Sequence, residues 1–128
     1  MTAIFGIGTD IVRVERMAAN LHRFGERFAR RILTDNEQQD FVRSTRPAHF
    51  LAKRFAAKEA AAKALGLGIS QGLSFRQIGV GHNEHGKPQL EYSGEAARFC
   101  QQHGIGASHL SLADEQDYAI AFVTIEAV

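Results

Sequence analysis

The sequence predicts a single α+β domain in which an antiparallel sheet packs against one long helix and several shorter helices. The chain opens with a short apolar segment and closes with two segments of strand composition. Between them lies a long stretch rich in Ala, Leu, Lys and Glu, without Gly or Pro, that favours a helix. Helices and strands that do not alternate regularly are typical of the α+β class. The 128 residues are expected to form one domain, 1–128.

The first third of the chain predicts one strand followed by helices. Residues 3–9 are apolar and glycine-punctuated, which predicts a buried strand that delivers Asp10 at its C-terminal end. Residues 12–33 have apolar side chains at helical spacing, with a break expected near Gly25. Thr34 and Glu37 have the spacing of a capping box, so a short helix should begin there and run through Phe41.

The remainder predicts the long helix, a hairpin, a further helix and two strands. The long helix is expected over 50–65, ending at Gly66, and a loop with Gly66, Gly68 and Gly72 follows. Strands over 75–80 and 89–92 with a turn at 86–88 predict a hairpin, after which Ser93 can cap a helix over 94–103. Strands are expected over 109–112 and 118–126. Residues 119–125 are nearly all apolar, which places the last strand in the middle of the sheet.

Composition and charge limit the classes of partner. The formal net charge of +1 provides no overall field for nucleic acid or an anionic membrane, so neither is an expected partner. No apolar run approaches the length of a membrane span, and the first residues lack the features of a signal peptide. The single cysteine, Cys100, fits a reducing compartment, and we expect a cytoplasmic protein.

Two carboxylates have the setting of metal ligands. Asp10 follows an apolar strand, and Glu59 lies among alanines on the long helix. Carboxylate oxygens suit Mg²⁺, which is commonly held by one or two carboxylates together with substrate phosphates. The alternatives are a helix cap for Asp10 before Ile11, and for Glu59 a surface ion pair with Lys63, four residues on.

Cations on the same helix favour a phosphate site. Four of them lie near Glu59, and the helix leads into the glycine-rich loop, where backbone N–H groups can approach oxygens: Lys53, Arg54, Lys58 and Lys63. A solvated helix face is the alternative. His109 could donate to a phosphate, or serve only as a structural histidine.

An arginine-rich segment favours an anionic macromolecule. Between Arg13 and Arg31 six arginines stand against two acids, a local excess of +4. With Phe24 and Phe28 beside it, this surface suits an acidic protein helix or a stretch of nucleic acid, whereas the alternative is a solvated amphipathic face.

The pattern of these residues resembles that of a known family. The blocks GIGTDIVRVERM at 6–17 and FLAKRFAAKEAAAKALGLGI at 50–69 are similar to the two signature blocks of the holo-acyl-carrier-protein synthases, the small bacterial class of 4′-phosphopantetheinyl transferases. The resemblance continues through RFARRILTDNE, the GKP turn and HLSLADE, and so covers nearly the whole chain.

The resemblance implies an activity and partners. It implies a transferase fold of that family and transfer of 4′-phosphopantetheine from coenzyme A to a serine of apo acyl carrier protein, in support of fatty acid biosynthesis, with release of adenosine 3′,5′-bisphosphate. It implies Mg²⁺ on Asp10 and Glu59, with Lys63 at the phosphates, and a homotrimer with active sites between subunits.

The resemblance also implies binding residues. The acidic carrier protein would dock on Arg16, Arg27, Phe28 and Arg31. The coenzyme A site is predicted at the cations and glycines of the second block together with one histidine: Lys53, Arg54, Lys58, Lys63, Gly66, Gly68 and His109. Some family members have a second histidine after the last block where this chain has Ala113 and Asp114, which leaves the role of His109 open.

The chemistry implied by the resemblance needs few protein groups. Displacement at the β-phosphorus requires alignment and charge neutralisation, which Asp10, Glu59, Mg²⁺ and Lys63 could supply. Glu59, directly or through a water, is the predicted base for the serine hydroxyl. The competing interpretations are a non-catalytic module that binds RNA or an acidic protein through the arginines, and a hydrolase of coenzyme A or nucleotides with the same metal site.

Overall fold

The computed structural model describes residues 3–69 and 73–128. Five strands, five α-helices and a short 3₁₀ helix occur within these residues. In chain order they are β1 (Ala3–Arg13), α1 (Val14–Phe24), α2 (Glu26–Ile32), α3 (Asp35–Val42), α4 (Pro47–Ala64), the 3₁₀ helix (Phe75–Gln77), β2 (Ile78–His82), β3 (Pro88–Tyr92), α5 (Gly94–Gln102), β4 (Ile105–Asp114) and β5 (Tyr118–Ala127).

The strands form two antiparallel sheets, so the predicted α+β class is confirmed. One sheet has three strands in the order β1-β5-β4, and the predicted hairpin β2-β3 forms the other. The central position of β5 is confirmed, but only one of its faces is buried. Ala119, Ala121, Val123 and Ile125 are buried, whereas the alternate residues Tyr118, Ile120 and Phe122 are exposed.

The long helix α4 packs on the buried face of the three-stranded sheet. Its small side chains allow a close approach, and Gly6 and Gly8 of β1 lie directly against the backbone of Ala64 and Ala60. A Cβ atom at either glycine would overlap a carbonyl oxygen of α4. The sequence of β1 is therefore glycine-punctuated because the backbones of helix and strand meet there.

The predicted local signals at the helix ends are largely confirmed. Gly25, with φ 64°, separates α1 from α2. The capping box between Thr34 and Glu37 is present in both directions. Gly66, with φ 81°, ends α4, and the amide of Leu67 donates to the carbonyl of Ala62 at 2.9 Å, as in a Schellman motif.

Several predicted boundaries are wrong. β1 runs on to Arg13, so Asp10 lies within the strand and is not a helix cap. α4 begins at Pro47, which is tolerated in the first turn because that turn has no intrahelical partner for an N–H. Residues 75–77 form the 3₁₀ helix and not a strand.

Two further expectations concern Ser93 and Gly72. Ser93 occupies the N-cap of α5, but its side chain makes no capping hydrogen bond. Gly72 lies outside the described residues. No helix within 3–69 and 73–128 is long and apolar enough to cross a membrane.

Candidate active site

Asp10 faces α4 because the side chains of β1 alternate. Gly8, Asp10 and Val12 lie on the face of the sheet that packs against the helix. The Asp10 side chain is only 17% exposed, and its Oδ1 accepts a hydrogen bond from Lys63 Nζ at 3.0 Å. The same ammonium donates to the carbonyl oxygen of Thr9 at 3.1 Å. Lys63 is thus anchored to the strand.

Glu59 lies one helical turn before Lys63 and shares this environment. Partial burial raises the pKa of Glu59, and the Asp10 carboxylate raises it further, whereas Lys63 and Arg16 lower it. The alternative of a Glu59–Lys63 surface pair is not favoured, because the Lys63 ammonium pairs with Asp10. Two carboxylates are therefore close enough to repel each other, with two cations beside them.

This donor set fits a divalent cation that prefers oxygen ligands. A cation bound by both carboxylates would relieve their repulsion, which adds to burial in raising the pKa of Glu59. Within 3–69 and 73–128 no group of three or more His, Cys, Asp or Glu side chains could hold a metal. Two carboxylates alone could hold only a cation that takes its other ligands from water and substrate phosphates, as Mg²⁺ commonly does.

A second polar site, which we term the β4 cavity, lies between α4, the hairpin and β4. It has a volume of about 470 Å³ and is lined by Phe50, Lys53, Arg54, His82, Gly86, Pro88, Leu110, Ser111, Leu112 and Asp114. Lys53 Nζ is 3.9 Å from Asp114 Oδ1. Burial lowers the pKa of His82, and Arg54 lowers it further, because both disfavour the charged imidazole.

A third feature is an apolar groove with basic margins, which we term the basic groove. It has a volume of about 440 Å³ and is lined by Phe28, Arg31, Ile32, Phe55, Ile69, Leu73, Ser74, Phe75 and Arg76. The guanidinium carbon of Arg16 lies 5.0 Å from the centre of the Phe55 ring. Phe24, Arg27, Phe28 and Arg31 line a smaller adjoining cavity.

The four predicted docking residues therefore share one surface. Arg27, Phe28 and Arg31 line the basic groove or its neighbour, and Arg16 reaches it through Phe55. Arg16 also lowers the pKa of Glu59, so its charge acts on the carboxylate pair.

Comparison with known proteins identifies the family. The sequence pattern of the 4′-phosphopantetheinyl transferase superfamily matches residues 6–123. The chain belongs to this superfamily.

Relatives of this transferase-superfamily member include a holo-[acyl-carrier-protein] synthase of Nitrosococcus oceani, 60% identical over 122 residues that span 95% of this chain and 79% of the relative. The crystal structure of the holo-[acyl-carrier-protein] synthase of Neisseria meningitidis superposes with a TM-score of 0.91 at 46% identity, covering 96% of this chain and 98% of that one. The synthase of Bacillus anthracis, solved in complex with CoA (3′,5′-ADP), has a TM-score of 0.82 at 35% identity over 100% of both chains.

One predicted phosphate ligand of this superfamily member is misplaced. Lys58 is fully buried, and its ammonium donates to Glu37 Oε1 at 2.6 Å and to the carbonyl of Phe75 at 3.0 Å. Burial lowers the pKa of Lys58, although Glu37 opposes the shift. The prediction that Lys58 belongs to a phosphate site with the other cations of α4 is wrong, because its side chain is fully buried and pairs with Glu37.

The four predicted cations of α4 are also not one cluster. Lys63 lies at β1, Lys53 and Arg54 line the β4 cavity, and Lys58 is buried. These four cations are close together along the sequence, which predicted a single site, but their side chains leave the helix in different directions.

His109 lies on the exposed face of the three-stranded sheet. It pairs with Thr124 of β5, and its Nε2 is 2.6 Å from Glu126 Oε2. Asp10 lies on the opposite, helix-packed face. A single chain therefore does not bring His109 to the carboxylate pair.

Two residues near these sites were not predicted to matter. Glu37 was noted only as a capping residue, yet its carboxylate holds Lys58 and lies beside Arg54. His82, in the predicted hairpin, also lines the β4 cavity. The capping box predicts a local role for Glu37, but no pattern in the sequence predicts that its side chain is buried.

Proposed function

We propose that this chain is a holo-acyl-carrier-protein synthase, which transfers 4′-phosphopantetheine from coenzyme A to a serine of apo acyl carrier protein and releases adenosine 3′,5′-bisphosphate. The observation that carries the proposal is the Asp10–Glu59 pair, held beside Lys63 and near Arg16, whose guanidinium lies over Phe55 of the basic groove. The family membership and the names of the relatives support the reaction. Phosphoryl transfer needs such a site because charge neutralisation and alignment supply most of the rate.

Asp10 and Glu59 would hold Mg²⁺, with the diphosphate of coenzyme A and water completing its shell. The bound cation would neutralise charge on the diphosphate as the bond to the nucleotide breaks. Lys63 contributes a second positive charge at the same place, and its hydrogen bond to the carbonyl of Thr9 keeps that charge close to Asp10.

Glu59 is the base in this proposal. The serine hydroxyl oxygen of the carrier attacks the β-phosphorus, the bond from that phosphorus to the bridging oxygen breaks, and the nucleotide leaves with the electron pair. The serine proton passes to the Glu59 carboxylate, directly or through a water. A carboxylate with a raised pKa accepts a proton more readily than an ordinary one, which suits this role.

The β4 cavity is the proposed site for the adenosine bisphosphate part of coenzyme A. Lys53 and Arg54 provide charge, and the backbone at Gly66 and Gly68 is the proposed contact for the diphosphate. The predicted contact of His109 with coenzyme A remains part of the proposal only in an assembly of more than one chain.

A homotrimer with active sites between subunits is part of the same proposal. It is supported by the exposed side of the three-stranded sheet, on which His109 lies away from the carboxylate pair of its own chain. The outer face of that sheet is apolar and exposed: Ile7 57%, Ile11 62%, Ile120 44% and Phe122 49%. Such a contiguous surface is typical of an interface, and a second copy of this chain is the proposed occupant.

The basic groove is the proposed docking site for the carrier protein. An acidic amphipathic helix would place apolar side chains against Phe28 and Phe55 and its charges against Arg27 and Arg31. Arg16 lies over Phe55 of the groove and also interacts electrostatically with Glu59, so we propose that a docked carrier presents its serine near the carboxylate pair. We further propose a cytoplasmic location, where the one free cysteine stays reduced, and a role in fatty acid biosynthesis.

Mass spectrometry of the carrier tests the proposal. The protein is incubated with coenzyme A, Mg²⁺ and apo acyl carrier protein, and the carrier should gain the mass of one phosphopantetheine. Asp10→Asn and Glu59→Gln should abolish the gain, whereas Glu95→Gln, which removes an exposed carboxylate on α5, serves as the matched control.

Three results separate the alternatives. If folded protein with active carrier produces neither a mass gain nor adenosine 3′,5′-bisphosphate, the non-catalytic interpretation remains, in which the arginines bind RNA or an acidic protein. Release of adenosine 3′,5′-bisphosphate without carrier would indicate the hydrolase. Transfer that survives a chelator would contradict the metal role of the carboxylate pair.

A further inference from the structure

One buried carboxylate connects three elements beside the β4 cavity. Glu37 of α3 is 2% exposed. Its Oε1 accepts hydrogen bonds from Lys58 Nζ at 2.6 Å and from the amide of Thr34 at 2.8 Å. Its Oε2 accepts from the amide of Val80 in β2 at 3.1 Å and lies 3.5 Å from Arg54 Nε. The start of α3, the helix α4 and the strand β2 therefore all contribute groups that hold this carboxylate in place.

Arg54 is held between this carboxylate and an aromatic ring. It is 5% exposed, and its guanidinium carbon lies 4.5 Å from the centre of the Phe50 ring. Both Phe50 and Arg54 line the β4 cavity. The Phe50 ring attracts the guanidinium on one side, and Glu37 attracts it as an ion pair, without a hydrogen bond at Arg54 Nε.

The charges of this cluster do not balance. Lys58 and Arg54 are both buried, and Glu37 is the buried acid beside them. Asp40 acts on Arg54 from a half-exposed position, where it pairs with Arg43. Since the strong hydrogen bond of Glu37 goes to Lys58, positive charge remains on Arg54 at the wall of the cavity, where an anion can use it.

We propose that Glu37 is a positioning residue for coenzyme A binding. It holds the Arg54 side chain at the wall of the β4 cavity, so that the guanidinium is already ordered when a phosphate of the nucleotide binds to it. The inference rests on the proposed function and adds a residue to it. Binding to a side chain that is already ordered avoids the entropic cost of immobilising it, so loss of Glu37 should weaken nucleotide affinity with a smaller effect on turnover.

A double-mutant cycle distinguishes positioning from a general effect on stability. Glu37→Gln keeps the shape of the side chain and removes its charge, and it is made in the wild-type and in the Arg54→Gln backgrounds. Affinity for coenzyme A and for adenosine 3′,5′-bisphosphate is measured by calorimetry, and KM and kcat are measured for both substrates. Asp35→Asn, an exposed substitution on the same helix, is the matched control.

In the wild-type background Glu37→Gln should weaken binding of both nucleotides about tenfold and leave the KM for carrier unchanged. In the Arg54→Gln background the same substitution should change affinity by less than about twofold. Equal losses in both backgrounds, or a larger effect on carrier KM than on nucleotide affinity, would overturn the proposal.

Glu37→Gln leaves Lys58 without its acid and could prevent folding. The cycle is then repeated with Lys58→Met, which removes that charge, as the parent protein. The same two outcomes apply there. Nucleotide binding that depends on Glu37 through Arg54, in a protein that transfers nothing to the carrier, would refute the proposed function and leave this inference standing.

Discussion

Gly8→Ala tests the close approach that places Asp10 beside α4. A Cβ at residue 8 would overlap the carbonyl oxygen of Ala60, and it would stand 2.8 Å from the amide nitrogen of Ala64 and 2.9 Å from the carbonyl carbon of Ala60. These are backbone atoms in the middle of a helix, so no side chain can rotate away. The helix and the strand must separate by on the order of 1 Å.

We expect Gly8→Ala to lower the free energy of unfolding by about 3 kcal/mol, near the upper end of the range for overpacked cores. For a chain of this length that corresponds to a fall in Tm of about 10 °C, measured by circular dichroism. Because Asp10 lies two residues further along the same face, transfer activity should fall by about a hundredfold at temperatures where the variant is folded.

Gly79→Ala is the matched control for this prediction. It is also a buried strand glycine, but its added Cβ would meet Thr34 Cγ2 at 3.4 Å, an ordinary contact. Its Tm should stay within about 3 °C of the wild type. A Gly8→Ala variant as stable and as active as Gly79→Ala would refute the close packing of β1 on α4.

Three further substitutions probe the site. Glu59→Gln should raise the Tm at neutral pH without Mg²⁺, because a raised pKa in the folded state means that ionised Glu59 destabilises the fold. This gain in Tm should vanish at low pH, where Glu59 is protonated. Phe122→Asp should reduce the mass in light scattering from three chains to one, whereas Val42→Asp, at another exposed apolar residue, should not. Arg27→Glu should raise the KM for carrier about tenfold and leave coenzyme A affinity unchanged. Arg43→Glu, at an exposed arginine outside the groove, is the control, and an unchanged KM in Arg27→Glu would contradict docking in the groove.

The docking test uses Arg27 and not Arg16 for a structural reason. Arg16 stacks on Phe55 and also lowers the pKa of Glu59. Reversal of its charge would change the carboxylate pair as well as the groove, so a loss of activity could not be assigned to either. Arg27 lines the cavity that adjoins the groove and is not among the residues that shift Glu59.

Features that depend on neighbouring residues were predictable. The capping box at Thr34 and Glu37, the break at Gly25 and the end of α4 at Gly66 involve residues within a few positions of one another, and each was confirmed. The start of α4 was misjudged at Pro47, since a proline is compatible with either a break or a first turn.

Features that depend on distant residues required the tertiary structure. Lys58 and Glu59 are adjacent in sequence and both charged, so the sequence alone does not show which of the two side chains is buried. Lys58 is buried because Glu37, 21 residues away, supplies the acid it needs, whereas Glu59 points toward Asp10. The helix turns about 100° between neighbours, and only the packing partners on each side decide which side chain is structural.

By itself, the sequence determined the fold class, the order of most elements and the family, because periodicity, capping residues and the two signature blocks can be recognised without the tertiary structure. The tertiary structure alone decided that Lys63 pairs with Asp10, that Lys58 is buried, and that His109 lies on the other side of the sheet. Those outcomes depend on contacts between residues far apart in the chain, and on which face of a strand or helix meets the core.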